Sequence, residues 1–191
     1  LKVLKDLGFK PDENAPRILR ATIDGTEIVA GVMNGDSTQA ERKKIREEAR
    51  LILTNPPALH AAVLPMGGKV YQDKTSWGRV FGNLELLVID EGHIQSGVTG
   101  TNTAGALSRL FALSDACCKQ PSIDSPGRKA PQVIIATATV KNPVEHAEQL
   151  TGLKNWQLVD KSGAKAQKKV FRVVMPKEVV NDQSSANENY A

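Results

Sequence analysis

The sequence predicts an α/β domain, a three-layer α/β/α arrangement around a mostly parallel sheet, incomplete at its N-terminus. Three observations lead there. Four apolar runs rich in β-branched residues, EIVAGVM (27–33), LILTN (51–55), LLVID (86–90) and QVIIAT (132–137), alternate with helical patterns, and parallel neighbours need such crossover connections. Two strand-to-helix junctions carry Asn-Pro, at 55–56 and 142–143, where Asn can cap a helix and Pro can fill its first turn. The 191 residues are 40% hydrophobic and 24% charged, which suffices for one core and gives no expectation of a second full domain.

The elements follow in chain order. LKVLKDLGFK places Leu1, Leu4 and Leu7 on one helix face and reads as the middle of a helix, so the chain is expected to be a piece of something longer. Thr38 and Glu41, three residues apart after a Gly-Asp turn, form a capping box for a helix over 39–50. Its charges form a solvated face, with Lys43 and Glu47 or Lys44 and Glu48 one turn apart. Asn55 then caps a helix that starts where its strand stops. The second junction is expected to be its twin: Asn142 as cap, Pro143 first, Glu145 third and Gly152 just past the end. KQPSIDSPGRKAP (119–131) reads as a surface loop, the stretch after 155 as two strands around a basic turn, and NDQSSANENYA as a polar tail. The four central strands are expected to be buried.

The chemistry concentrates in LELLVIDEGHIQSG (84–97), where an apolar strand ends in Asp90, Glu91, Gly92 and His93. Ligands of open parallel sheets sit beyond the carboxyl ends of the strands. Two adjacent acids there can divide labour, one holding a hydrated magnesium ion while the next orients or deprotonates a water for attack on a phosphoryl group. The other half of such a nucleotide site, Gly-x-x-x-x-Gly-Lys-Ser/Thr, occurs nowhere in the 191 residues.

VIDEGH resembles motif II of the DEAD/DEAH-box class of superfamily-two helicases. LILTNPPALH resembles its motif Ib, and IIATATVKNP its motif III, usually Ser-Ala-Thr and here Thr137, Ala138 and Thr139. LTNPPALH, GVTG and NPVEHAEQLTGL are most similar to the Hrq and MrfA type, RecQ-related DNA helicases of DNA repair, over roughly residues 28–160. The resemblance implies a RecA-like, P-loop NTPase-type fold, with 1–155 a partial ATP-binding domain lacking the phosphate loop and 156–191 the start of a connection to a second RecA-like domain plus a tail. It implies ATP and Mg2+ as cofactors, with Asp90 contacting magnesium through water and Glu91 positioning the hydrolytic water. His93, Thr137, Ala138 and Thr139 would couple the nucleotide to motion of the second motor domain. Thr54, Asn55 and Pro56 would lie against the sugar-phosphate backbone of single-stranded or forked DNA, where a helix N-terminus offers free amides. Three positions depart from the pattern: Gly92 for the usual Ala, expected only to loosen the turn, Ser96 for a basic residue, and Asn102 for His.

Composition sets the remaining limits. Lys+Arg at 25 against Asp+Glu at 21 gives a formal net charge of +4, which admits a polyanionic partner without demanding one. Aromatics at 4% disfavour base-stacking platforms. Cys117 and Cys118 are sequence neighbours, a poor geometry for a disulfide and too few for zinc, so a reducing compartment is expected. No targeting segment or apolar run near the ~20 residues of a membrane span is visible; the expected location is intracellular, the nucleus in a eukaryote and otherwise the cytoplasm, with no membrane partner. His60 and His146 are expected at satisfied or exposed helix positions. Two other functional classes stay open: a nucleotide-independent nucleic-acid-binding or scaffold domain, and a metal-dependent hydrolase using Asp90, Glu91 and His93 with His60 or His146.

Overall fold

A computed structural model describes residues 2–66, 76–119 and 130–161. A short helix α1 (Lys2–Asp6) leads into strands β1 (Lys10–Asp12), β2 (Ala15–Ile23) and β3 (Thr26–Met33), then helix α2 (Gln39–Glu48) and strand β4 (Leu51–Thr54). Next come α3 (Pro56–Ala58), continued by a π turn (Leu59–Val63) and a 3-10 turn (Leu64–Met66), and α4 (Ser76–Gly82). Strand β5 (Leu86–Ile89), a 3-10 turn (Gly92–Ile94), the long helix α5 (Gly97–Cys118), β6 (Gln132–Ile135) and α6 (Pro143–Thr151) complete the described elements. The α/β class and all four expected strands stand, within a residue or two of their predicted ends.

The sheet is mixed. β3 and β4 pair in parallel with Ala30 opposite Leu51 and Met33 opposite Thr54, and β5 and β6 pair in parallel from Leu86–Gln132 to Ile89–Ile135. The antiparallel meander β1–β2–β3, which completes a four-stranded sheet with β4, was not foreseen. Its signal is local: Asp24-Gly25 joins β2 to β3 as a two-residue loop with both residues at positive φ, 49° and 76°, the backbone that matches strand twist in a tight hairpin.

β3 alternates strictly between two cores. Val29 and Met33 face Ile45 of α2, Trp77 and Phe81 of α4 and Leu107 and Leu110 of α5, while Ala30 joins Leu19, Leu4 and Phe9 beneath α1. Helices therefore cover both faces of this sheet. Phe81 is 1% exposed and Ile45 is fully buried, burial that stabilises by about 1.5–3 kcal/mol per side chain. Leu7, expected on the α1 face, is exposed, because the helix stops at Asp6 and Gly8 turns the chain at φ 88°.

The second sheet is covered on one side. Leu87, Ile89 and Ile135 pack onto the main core, whereas Leu86, Val88 and Ile134 are 45–55% exposed, so these strands are not buried on both faces as expected. The two helix starts are not twins either. Asn55 accepts the Ala58 N–H at 2.8 Å, but the Asn142 side chain makes no capping bond and instead donates to Glu145 at 2.9 Å. Gly152 ends α6 at φ 72° as expected. On α2, Lys44 reaches Asp12 at 2.7 Å and holds its carboxyl below the ordinary range, while Glu48 bonds Arg20 of β2. The expected one-turn pairings give way to ties that fasten the helix to the hairpin. Cys117 and Cys118 are free thiols. Residues 156–161 form no strand; the rest of that expected pair of strands, the polar tail and most of the 119–131 loop lie outside the described residues. Among the described residues no helix is long and apolar enough to cross a membrane.

The capping box forms in full: Thr38 Oγ1 accepts the Glu41 N–H at 3.2 Å, and Glu41 accepts the Thr38 N–H at 2.8 Å. That bond is the main reason the Glu41 carboxyl is held below the ordinary range, with Arg17 adding to it. A depressed carboxyl contributes stability above its unfolded pKa and loses it as pH falls through the folded value. Urea titrations are expected to show Thr38→Ala destabilised by about 1 kcal/mol. Glu41→Gln is expected to flatten the acid side of the stability–pH curve.

Candidate functional site

The side chains singled out in the sequence fall at the carboxyl ends of the parallel pairs. Asp90 follows β5, and its Oδ1 accepts the Glu91 N–H at 2.9 Å. Glu91 adopts a left-handed backbone, φ 51° and ψ 42°, a conformation costing a non-glycine residue about 1–2 kcal/mol. Both acids are exposed.

What holds this turn is the end of β6. The Gly92 N–H donates to the Ala136 carbonyl at 2.9 Å, and the Ala136 N–H donates to Ile89 at 2.9 Å, extending the ladder between β5 and β6. Gly92 does more than loosen the turn. A Cβ there would lie 2.5 Å from Ile135 Cγ2 and 3.4 Å from the Ala136 carbonyl oxygen, so an Ala at this position would require the Ile135 side chain or the turn to move. The missing side chain lets the acidic turn seat directly on the strand end preceding Thr137.

His93 is shared between the two segments. Its Nδ1 lies 3.4 Å from the Ala138 N–H and 3.3 Å from Glu91 Oε2. A ring nitrogen with a lone pair accepts the amide, and one bearing a proton pairs with the carboxylate; one atom cannot do both at once. Thr137 and Thr139, beside Ala138, are exposed.

Helix α6 closes the site from behind. His146 Nε2 approaches the Gly92 carbonyl at 2.9 Å, and that same carbonyl accepts the Gln95 N–H at 3.1 Å. Gln95 is buried, its Oε1 accepting from Thr103 of α5 at 2.7 Å, whereas the atypical Ser96 and Asn102 are exposed. The His146 contact has one signal in the sequence, a geometric rule: helical side chains lean toward the N-terminus of their helix, here toward the strand ends.

Thr54, Asn55 and Pro56 lie elsewhere, at the end of β4 in the other sheet. Free helix amides, the donors anticipated here, are not available. Pro56 and Pro57 have no N–H, Ala58 donates to the Asn55 side chain, and Leu59 donates to the Asn55 carbonyl at 2.9 Å. Exposed Thr54 and Asn55 side chains remain as donors. His60, one turn on, bonds Arg109 of α5. Among the described residues no group of three or more His, Cys, Asp or Glu could hold a metal.

The family description "DEAD/DEAH box helicase" matches residues 15–147. The uncharacterized ATP-dependent helicase YprA of Bacillus subtilis is 37% identical over 147 residues, which are 77% of this chain and 17% of that protein. The ATP-dependent helicase HRQ1 of Saccharomyces cerevisiae is 30% identical over 71% of this chain and 11% of its own length. Among solved structures, the DUF1998 helicase MrfA bound to DNA and AMPPNP superposes with a TM-score of 0.60 and 36% identity, covering 74% of this chain and 17% of that one. The chain thus spans less than a fifth of the length of these proteins. Since the family match takes in both parallel strand pairs and the whole acidic turn, the chain belongs to the DEAD/DEAH box helicase family.

Proposed function

We propose that this chain is part of the motor of an ATP-dependent DNA helicase acting in DNA repair, the part that activates the hydrolytic water and relays the nucleotide state. In this reading residues 1–155 belong to the ATP-binding domain and 156–191 begin the connection to a second RecA-like domain. The observation that carries it is the seating of an exposed Asp-Glu pair on the end of the neighbouring parallel strand through Gly92 and Ala136. Similarity to MrfA captured with DNA and AMPPNP supports the same reading.

Asp90 suits magnesium held through water. One of its oxygens is used in fixing the turn, and magnesium keeps several waters and takes only one or two carboxylates with substrate phosphates. When bound, magnesium neutralises charge at the phosphates. Glu91, held at the tip of the turn with its side chain 63% exposed, orients the water and takes its proton. His93 faces both that carboxylate and the backbone of Ala138, the position of a relay between the hydrolytic group and the Thr137–Thr139 segment. Thr54, Asn55 and Pro56 would track DNA by its backbone, through the hydroxyl and the Asn55 amide, since the helix start offers no amides of its own.

ATP turnover and DNA affinity test this. The 191-residue chain, lacking the phosphate loop, is expected to show no measurable ATP turnover. In a full-length protein carrying it, Glu91→Gln abolishes hydrolysis while nucleotide binding persists, and Asp90→Asn weakens the magnesium–nucleotide complex. Steady-state turnover and nucleotide titration check both, and normal turnover by Glu91→Gln would remove the base from this residue. For DNA, affinity is expected to fall steeply with salt and show little base preference. Asn55→Leu weakens binding across the salt series beyond the effect of its lost cap, about 1 kcal/mol of folding stability, which thermal melting measures separately. Unchanged affinity would place the DNA path elsewhere.

A further inference from the structure

Gly92 carries the acidic turn, yet glycine is the residue least able to hold a peptide plane by itself. The plane is fixed from outside on both sides: its N–H by Ala136 of the β6 end and its carbonyl by His146 of α6, each at 2.9 Å. A carbonyl only accepts, so Nε2 of His146 is the protonated ring nitrogen. The ring is half-buried and comes from an element 54 residues further along the chain. By contrast, the carbonyl's other partner, the Gln95 N–H, merely closes the turn on itself.

We infer that His146 is a positioning residue for the acidic pair, aiming the Glu91 carboxylate by tying the first turn of α6 to the Gly92 carbonyl. The inference rests on the reading of Glu91 as the water-activating base. Glu91 is most of the way into solvent, its side chain meeting the protein at His93 Nδ1, and the backbone of the turn sets the point and direction from which that side chain leaves. Losing His146 would untie the Gly92 carbonyl from α6 and leave it only the bond within the turn, and small displacements of a catalytic group cost rate out of proportion to their size. Folding should hardly notice, because the carbonyl keeps its bond from Gln95 and no buried acceptor is orphaned. Since α6 follows Thr137–Thr139 in the chain, the same bond passes any shift of that helix to the acidic turn.

The test compares His146→Leu, which keeps bulk but loses the donor, with His146→Gln, whose terminal amide can reach the Nε2 position, in a full-length protein carrying this chain, with Glu91→Gln alongside. His146→Leu is expected to lower kcat for ATP about tenfold or more while KM changes less than about twofold, with near-normal melting, and His146→Gln to recover most of the rate. If His146→Leu does not fold, His146→Asn, polar but too short to reach the carbonyl, takes its place. Wild-type kcat in the Leu or Asn variant beside a dead Glu91→Gln overturns the inference and leaves the role of Glu91 standing. Equal loss of rate in the Leu and Gln variants overturns it too, as does a loss confined to KM. Normal turnover in Glu91→Gln brings down both.

Discussion

At the carboxyl end of β5 the peptide of Gly92 comes within 2.9 Å of Ala136, an approach possible because no Cβ stands between the turn and Ile135. Much else follows from that contact. It extends the β5–β6 ladder beyond the last paired residues, brings His93 to the Ala138 amide, and leaves the Gly92 carbonyl facing α6. The acids need not be buried to be placed. Their carboxylates stay in water, avoiding the desolvation penalty of a buried charge, and the backbone beneath them is fixed by peptide hydrogen bonds.

The two sheets divide the candidate chemistry. The acidic turn stands on β5 and β6, while Thr54 and Asn55 stand on β4, in the four-stranded sheet. Helix α5 touches both regions: Arg109 meets His60 beyond the Asn55 cap, Ser114 bonds the Phe81 carbonyl at 3.0 Å, and Thr103 secures Gln95 behind the acids. A helix of 22 residues in contact with both gives the two regions one shared packed element.

The parts of this fold that were legible in the sequence are those where local chemistry and tertiary packing agree. The capping box at Thr38 and Glu41, the Asn55 cap and the four β-branched runs are each specified within a few residues, and packing reinforced them. The Asp24-Gly25 hairpin is equally local, two residues whose positive φ suits a tight turn between paired strands. Asn142 shows the opposite limit: the same dipeptide as at Asn55, but Glu145 lies within reach and captures the side-chain amide. The positions of Asp90, Glu91 and His93 could be read from a strand ending in acids. The importance of Gly92 and His146 could not, since one depends on a side chain that is absent and the other on a contact spanning 54 residues.

The left-handed backbone at Glu91 sets chemistry against stability at a single position. Residues with φ near 51° are most comfortable as Gly, Asn or Asp, and a β-branched side chain would fit worst. If Glu91 is the base proposed above, the acid at this position is not the residue the turn prefers, and relaxing the backbone with glycine would remove the carboxylate at the same stroke. Sequences drifting under selection for foldability alone should lose this glutamate early. With Glu91 as the proposed base, a stability–activity trade-off is localised to one φ angle.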